Sequence, residues 1–122
     1  MIKQRITNVL APFASQAYQA KYILNGTANQ YILPNDLMED VNSLYILVEC
    51  SPNLLDEFTD YERQIITSVL ESIKNGVRDV PGNLDNQALV NEDPVWRSIC
   101  EQSKFSLSLL GINLKLWEQI NL

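Results

Sequence analysis

The side chains able to do chemistry in this sequence are fifteen carboxylates and two thiols, because it contains no histidine. Asp36 with Asp40, Asp56 with Asp60, and the adjacent Asp56-Glu57 are carboxylate pairs. Such pairs serve glycoside or phosphate-ester hydrolysis and can hold Mg²⁺ or Ca²⁺. The Asp-x-Asp-x-Asp-Gly rhythm of a calcium loop is missing, and acids that cap helices or fill their first turns account for these positions without a ligand. Serine and threonine have no histidine to activate them. Cys100 follows Arg97 by one helical turn, a spacing that an ordinary surface arginine produces, and Cys50 has no basic neighbour. No Gly-x-Gly or Gly-Lys-Ser/Thr loop is present to cradle phosphate. These exclusions argue against an enzyme and lead us to expect no cofactor and no metal.

The charge is laid out unevenly. The chain has 122 residues and a net charge of −6, with 46% hydrophobic and 20% charged residues. That composition suits one soluble domain spanning residues 1–122. Nucleic acid is disfavoured as a partner, since neutralising phosphates needs clustered Lys and Arg. Residues 1–21 hold three bases and no acid, whereas eight acids and no base lie between Lys21 and Arg63. Four more acids, Asp79, Asp85, Glu92 and Asp93, lie between Arg78 and Arg97 without a base. A solvated, helix-capping role explains part of this pattern. The functional reading is an acidic surface that steers and holds a basic protein. The expected partner-binding residues are Asp56, Glu57 and Asp60, with Glu92, Asp93 and Trp96 at the start of a late helix.

Cys50 and Cys100 both lie in apolar stretches, so they are expected to be reduced and buried, as in a reducing compartment. The N-terminal stretch has no continuous apolar region of a signal peptide, and no run approaches the about 18 apolar residues of a membrane span. Asn25-Gly26-Thr27 therefore reads as a turn and not a glycan site. The expected location is cytoplasmic, with no membrane contact.

The elements that would carry these groups are mostly helical. Pro12 should end one helix or open the next, after which Phe13, Ala17, Ala20 and Leu24 share a helical face stopped by a left-handed residue at Asn25-Gly26. A rival reading makes Tyr22–Leu24 and Tyr31–Leu33 two short strands. Asn35 is a candidate N-cap for a helix with the stripe Leu37, Val41, Leu44, Tyr45 and Val48, ended by Ser51-Pro52. Thr59-Asp60-Tyr61-Glu62 is a capping box opening a helix over 60–75, with Tyr61, Ile65, Ile66, Val69, Leu70 and Ile73 on its apolar side. Residues 77–92 read as an excursion with a short helix near 86–89. Asp93-Pro94 starts another helix, with Trp96, Ile99, Cys100, Ser103, Leu107 and Leu110 inward, and Gly111 stops it. Residues 112–122 fit helix and strand equally. The aromatics off these stripes, Tyr18, Tyr22 and Tyr31, are expected at the surface. The fold class is all-α: a compact bundle of about five helices, with room for a short terminal or hairpin strand.

In size, acidity, lack of catalytic motifs, and the helix from Asp93-Pro94-Val95-Trp96 to Leu110-Gly111, the chain resembles the immunity proteins of bacterial contact-dependent growth inhibition. The resemblance implies a cytoplasmic protein that neutralises a basic toxin domain, often a nuclease, by occluding its working surface. The competing expectations are a non-catalytic oligomeric structural or adaptor module and, behind it, a metal-using carboxylate enzyme.

Overall fold

Proline costs a helix one amide donor, yet Pro12 neither ends nor opens a helix here, contrary to expectation. In the computed structural model, which describes residues 2–122, Pro12 lies inside α1 (Ile2–Ala14), and the helix ends three residues later at Ser15. Ser15 has extended backbone angles, and its hydroxyl accepts the Tyr18 amide at 3.0 Å, capping the single turn α2 (Gln16–Gln19). A π-helical stretch, Ala20–Leu24, continues α2. The change of phase at Ser15 and the wider π turn overturn the expected face: Ala17 is exposed, while Gln19 and Ile23 are buried.

The remaining helices are α3 (Pro34–Cys50), α4 (Asp60–Gly76), α5 (Asn86–Glu92), α6 (Pro94–Leu109) and α7 (Leu114–Asn121), with a 3₁₀ turn at Val77–Asp79. Seven helices replace the expected five or so, because the Ser15 break splits the first segment and the ambiguous tail is helical. Among the described residues there is no strand, only an isolated antiparallel bridge between Thr27 and Gln30. Tyr22–Leu24 belongs to the π stretch, and its link to the second rival strand is one bond, from the Ile32 amide to the Tyr22 carbonyl at 2.9 Å.

Most of the boundary signals act as read. The Thr59 hydroxyl accepts the Glu62 amide at 3.1 Å, and the Glu62 carboxylate accepts the Thr59 amide at 2.9 Å. These bonds hold the Glu62 carboxyl below its usual pKa. Asp93 accepts the Trp96 amide at 2.8 Å, with Pro94 in the first turn. In α3 the N-cap is Leu33 and not Asn35; Asp36 accepts the Leu33 amide at 3.3 Å, and Pro34 takes the first helical position. Gly111 adopts φ +73° and stops α6 as expected. Gly26 has no left-handed backbone. It is there for space, since a Cβ would stand 2.6 Å from the Tyr22 carbonyl oxygen and 2.7 Å from Tyr31 Cβ.

Helices α1, α3, α4 and α6 form a ring in which each packs on the next and α6 closes onto α1. Leu10 and Phe13, Val41 and Leu44, Ile66 and Leu70, and Trp96 and Leu107 are the buried contributions of the four helices. Each such side chain contributes about 1.5–3 kcal/mol by leaving water. Helix α7 lies across α1, α2 and α6, and α5 rests on α6 and the π stretch. No helix of the described residues is long and apolar enough to cross a membrane.

Gln19 joins these parts. Its amide nitrogen donates to the Pro12 and Phe13 carbonyls at 3.0 and 2.8 Å, and its amide oxygen accepts the Trp96 indole N–H at 3.2 Å. Gln19→Leu keeps the volume and strands three buried polar groups, each worth about 1–3 kcal/mol. Chemical denaturation followed by circular dichroism should show a stability loss of about 3 kcal/mol or more, and a loss below about 1 kcal/mol would contradict this role.

Candidate functional site

Helix α3 carries four exposed acids that form no ion pair among the described residues, although Asp36 accepts the Leu33 amide and Glu39 the Asn35 side-chain amide. Asp36, Glu39, Asp40 and Glu49 are all exposed on α3: Glu39 and the 52% exposed Ile46 point away from the buried stripe, Asp40 lies on the flank toward Arg5 of α1, and Glu49 stands about 180° around the helix from Asp40. The inward side buries Leu37, Val41 and Leu44 as the stripe requires, so helix periodicity forces the acids toward solvent. Among the described residues the ion pairs are those of Arg63 with Asp56 and Asp60, and none involves an acid of α3. Asp40 has its pKa raised, chiefly by partial burial and then by Asp36 and Glu39, with Arg5 of α1 acting in the opposite direction. The folded chain therefore holds this proton more tightly than the unfolded chain does. Ionised Asp40 works against folding at pH values above its pKa.

The connection from α3 to α4 extends this surface. Residues 51–58 form tight turns, with amide-to-carbonyl bonds from Leu54 to Ser51, Asp56 to Asn53, and Phe58 to Leu55. Leu55 and Phe58 are buried and pin the loop down, which turns Asp56 and Glu57 outward beside Asp60. The structure thus brings three of the expected site residues together. It also supplies a neutralising group: Arg63 bonds to Asp60, one helical turn away, and lies 3.8 Å from Asp56. Such an exposed pair adds only about 0–1 kcal/mol to stability, but it lowers the negative potential of the loop relative to α3.

The other three expected residues do not join that surface. Glu92 is exposed at the end of α5, which packs on α6 and the π stretch. Asp93 is 7% exposed because its carboxylate serves the α6 cap. Trp96 is 0% exposed, its ring 5.4 Å from Phe13 and its N–H committed to Gln19, so it belongs to the core and not to an interface. Anions favour helix N-termini, and that preference is what placed Asp93 beside Pro94.

The thiols also depart from expectation. Both are free, but Cys50 is exposed and Cys100 only half-buried. Cys50 stands two residues past Val48, about 200° around the helix from the end of the apolar stripe. Cys100 receives the Gln19 amide N–H at 3.4 Å, and burial pushes its pKa up. Of the aromatics expected outside, Tyr31 is exposed, whereas Tyr18 is half-buried with its ring 4.7 Å from Tyr22 and 5.1 Å from Trp117. Tyr61, placed on an apolar stripe by its spacing, is 61% exposed.

Among the described residues no group of three or more Asp, Glu and Cys side chains is arranged to hold a metal ion. No protein-family model, curated protein or solved structure matches the chain.

Two outcomes follow from these placements. Under native conditions a thiol reagent should modify Cys50 rapidly and Cys100 slowly, giving two thiols only on denaturation; equal rates would contradict the burial of Cys100. Asp93→Ala should cost about 1–2 kcal/mol of folding stability through loss of the cap. Unchanged thermal stability would mean that the carboxylate is not holding the helix.

Proposed function

We propose that this chain is a non-catalytic binding protein that takes up a basic protein partner on the outer face of α3 and the adjoining loop at Asp56, Glu57 and Asp60. In keeping with the resemblance to immunity proteins, the partner is a toxin domain, and cytoplasmic neutralisation is by covering its working surface. The observation that carries the reading is the α3 face itself. Asp36, Glu39, Asp40 and Glu49 point outward with no ion pair, and ionising Asp40 opposes folding. A carboxylate kept ionised at a cost to the fold, as Asp40 is, has more to gain from a partner's Lys and Arg than from the chain that carries it. Ile46 is exposed on the same outward side as Glu39, about two turns away, and offers an apolar contact there.

The test uses the partner captured from the source cells. Reversing Glu39, Asp40 and Glu49 to lysine together should slow association at least about tenfold and flatten its salt dependence, since steering is an ionic-strength-dependent effect. Asp56→Lys with Glu57→Lys should do the same to a smaller degree, because Arg63 already offsets part of that charge. Asp40→Asn should weaken binding while leaving thermal stability at pH 7 unchanged or slightly raised, given the sign of its pKa shift. Unaltered association across all three variants overturns the acidic-face reading. For the toxin reading, the captured partner should arrest growth when expressed alone and lose that effect on co-expression; a harmless partner overturns that part only.

A further inference from the structure

Where α7 crosses the ring, a cleft of about 460 Å³ opens between α6, α7 and the break at Ser15. Its volume falls in the range of small-molecule sites. Four charged side chains line it, Glu101 and Lys104 from α6 and Lys115 and Glu118 from α7. Two are anions and two are cations, yet among the described residues none of the four forms an ion pair. Glu118 is held in place by Ser15, whose 1% exposed hydroxyl donates to its carboxylate.

The signs are sorted along the cleft. Residues 110–113 join α6 to α7, and on each helix the lysine stands one turn nearer that connection than the glutamate. Lys104 also borders the hollow at Gly111 and Asn113, while Glu101 borders the opposite hollow at Gln16 and Gln19. The cationic end therefore lies at the start of α7, and the anionic end lies beside Ser15. Lys115 occupies the first turn of α7, where the helix dipole is already positive and no acid offsets it. Each end is left with a surplus of one sign that neighbouring side chains do not cancel.

We propose that this cleft binds a small zwitterion of the ω-amino acid class, its carboxylate at Lys104 and Lys115 and its ammonium at Glu101 and Glu118. The inference goes beyond the acidic-face reading and does not depend on it, since the cleft uses none of the acids of α3 or of the loop at Asp56. Charge selects the ligand. A simple anion would meet the two glutamates and a simple cation the two lysines, so a single charge loses at one end what it gains at the other. Spacing selects its length. The lysine and glutamate of each helix are separated by about 4.5 Å along the axis, close to the distance between the charged groups of γ-aminobutyrate. The methylenes between those groups would lie over Ala14, Ala17 and Leu114, the apolar part of the lining.

Titration of the whole chain with γ-aminobutyrate, followed by amide chemical shifts, should give a dissociation constant of about 0.1–1 mM, in keeping with so small a ligand. Butyrate and butylamine, which each carry one of the two charges, should bind at least about tenfold more weakly. Raising salt should weaken binding of the zwitterion. Lys104→Met with Lys115→Met, and separately Glu101→Gln, change exposed residues and should keep native circular dichroism. Each should weaken binding at least about tenfold. Lys3→Met, in the separate hollow beneath α7, should leave binding unchanged. No binding by about 10 mM γ-aminobutyrate overturns the proposal. So does equal binding of butyrate or butylamine, binding that survives the lysine and glutamate variants, or binding that Lys3→Met abolishes instead.

Discussion

The side-chain amide of Gln19 satisfies three groups that would otherwise be stranded in the core: the Pro12 and Phe13 carbonyls and the Trp96 indole N–H. Everything else in the ring depends on that closure. The helix α1 breaks at Ser15, and its buried end packs against α6 where Trp96 is fully buried. A core at native density cannot leave those donors and acceptors unpaired without a penalty comparable to a large share of the net stability. One glutamine closes the account, and it sets the spacing between α1 and α6 on which the rest of the packing is built.

With the ring closed, its outer surfaces divide by chemistry. The acids of α3 face solvent without an ion pair among the described residues, and the acids of the following loop lie under the partial control of Arg63. A strip between α4 and α6 carries aromatic and aliphatic side chains with no charge among its lining residues. Helix α7 adds a third kind of contact. Trp117 is buried and donates to Asn8 Oδ1 at 3.1 Å, Glu118 accepts the Ser15 hydroxyl, and Tyr22 donates to the Asn121 carbonyl at 3.1 Å. Those bonds hold an eight-residue helix that would not be stable alone.

Much of the architecture was legible in the residues. The Thr59 capping box, the Asp93-Pro94 start, the Ser51-Pro52 stop and the inward stripes of α3 and α6 all operate as their local chemistry requires. Each is a short-range device, with its partner three or four residues away. The first 33 residues were less legible. Their helical face was read as continuous through Phe13, Ala17, Ala20 and Leu24, but the Ser15 break and the π turn rotate it to Gln19 and Ile23. The candidate site was legible only in part. Asp56, Glu57 and Asp60 do lie together, while Asp93 and Trp96 are withdrawn by the cap and the core.

The sequence by itself determined the ends and apolar sides of the α4 and α6 helices and the inward stripe of α3, because caps and periodicity act between neighbours in the chain. It also determined that acids outnumber bases along the middle of the molecule. Only the tertiary structure decided which acids stay without a cation, that Arg63 reaches back to Asp56, and that Cys50 and Tyr61 face solvent. The three-dimensional packing alone made Gln19 a clasp between Pro12 and Trp96, residues 84 positions apart. The physical reason is that burial and ion pairing depend on which helices meet, and a helix's neighbours are chosen by how several apolar faces fill one shared volume. No single segment carries that information.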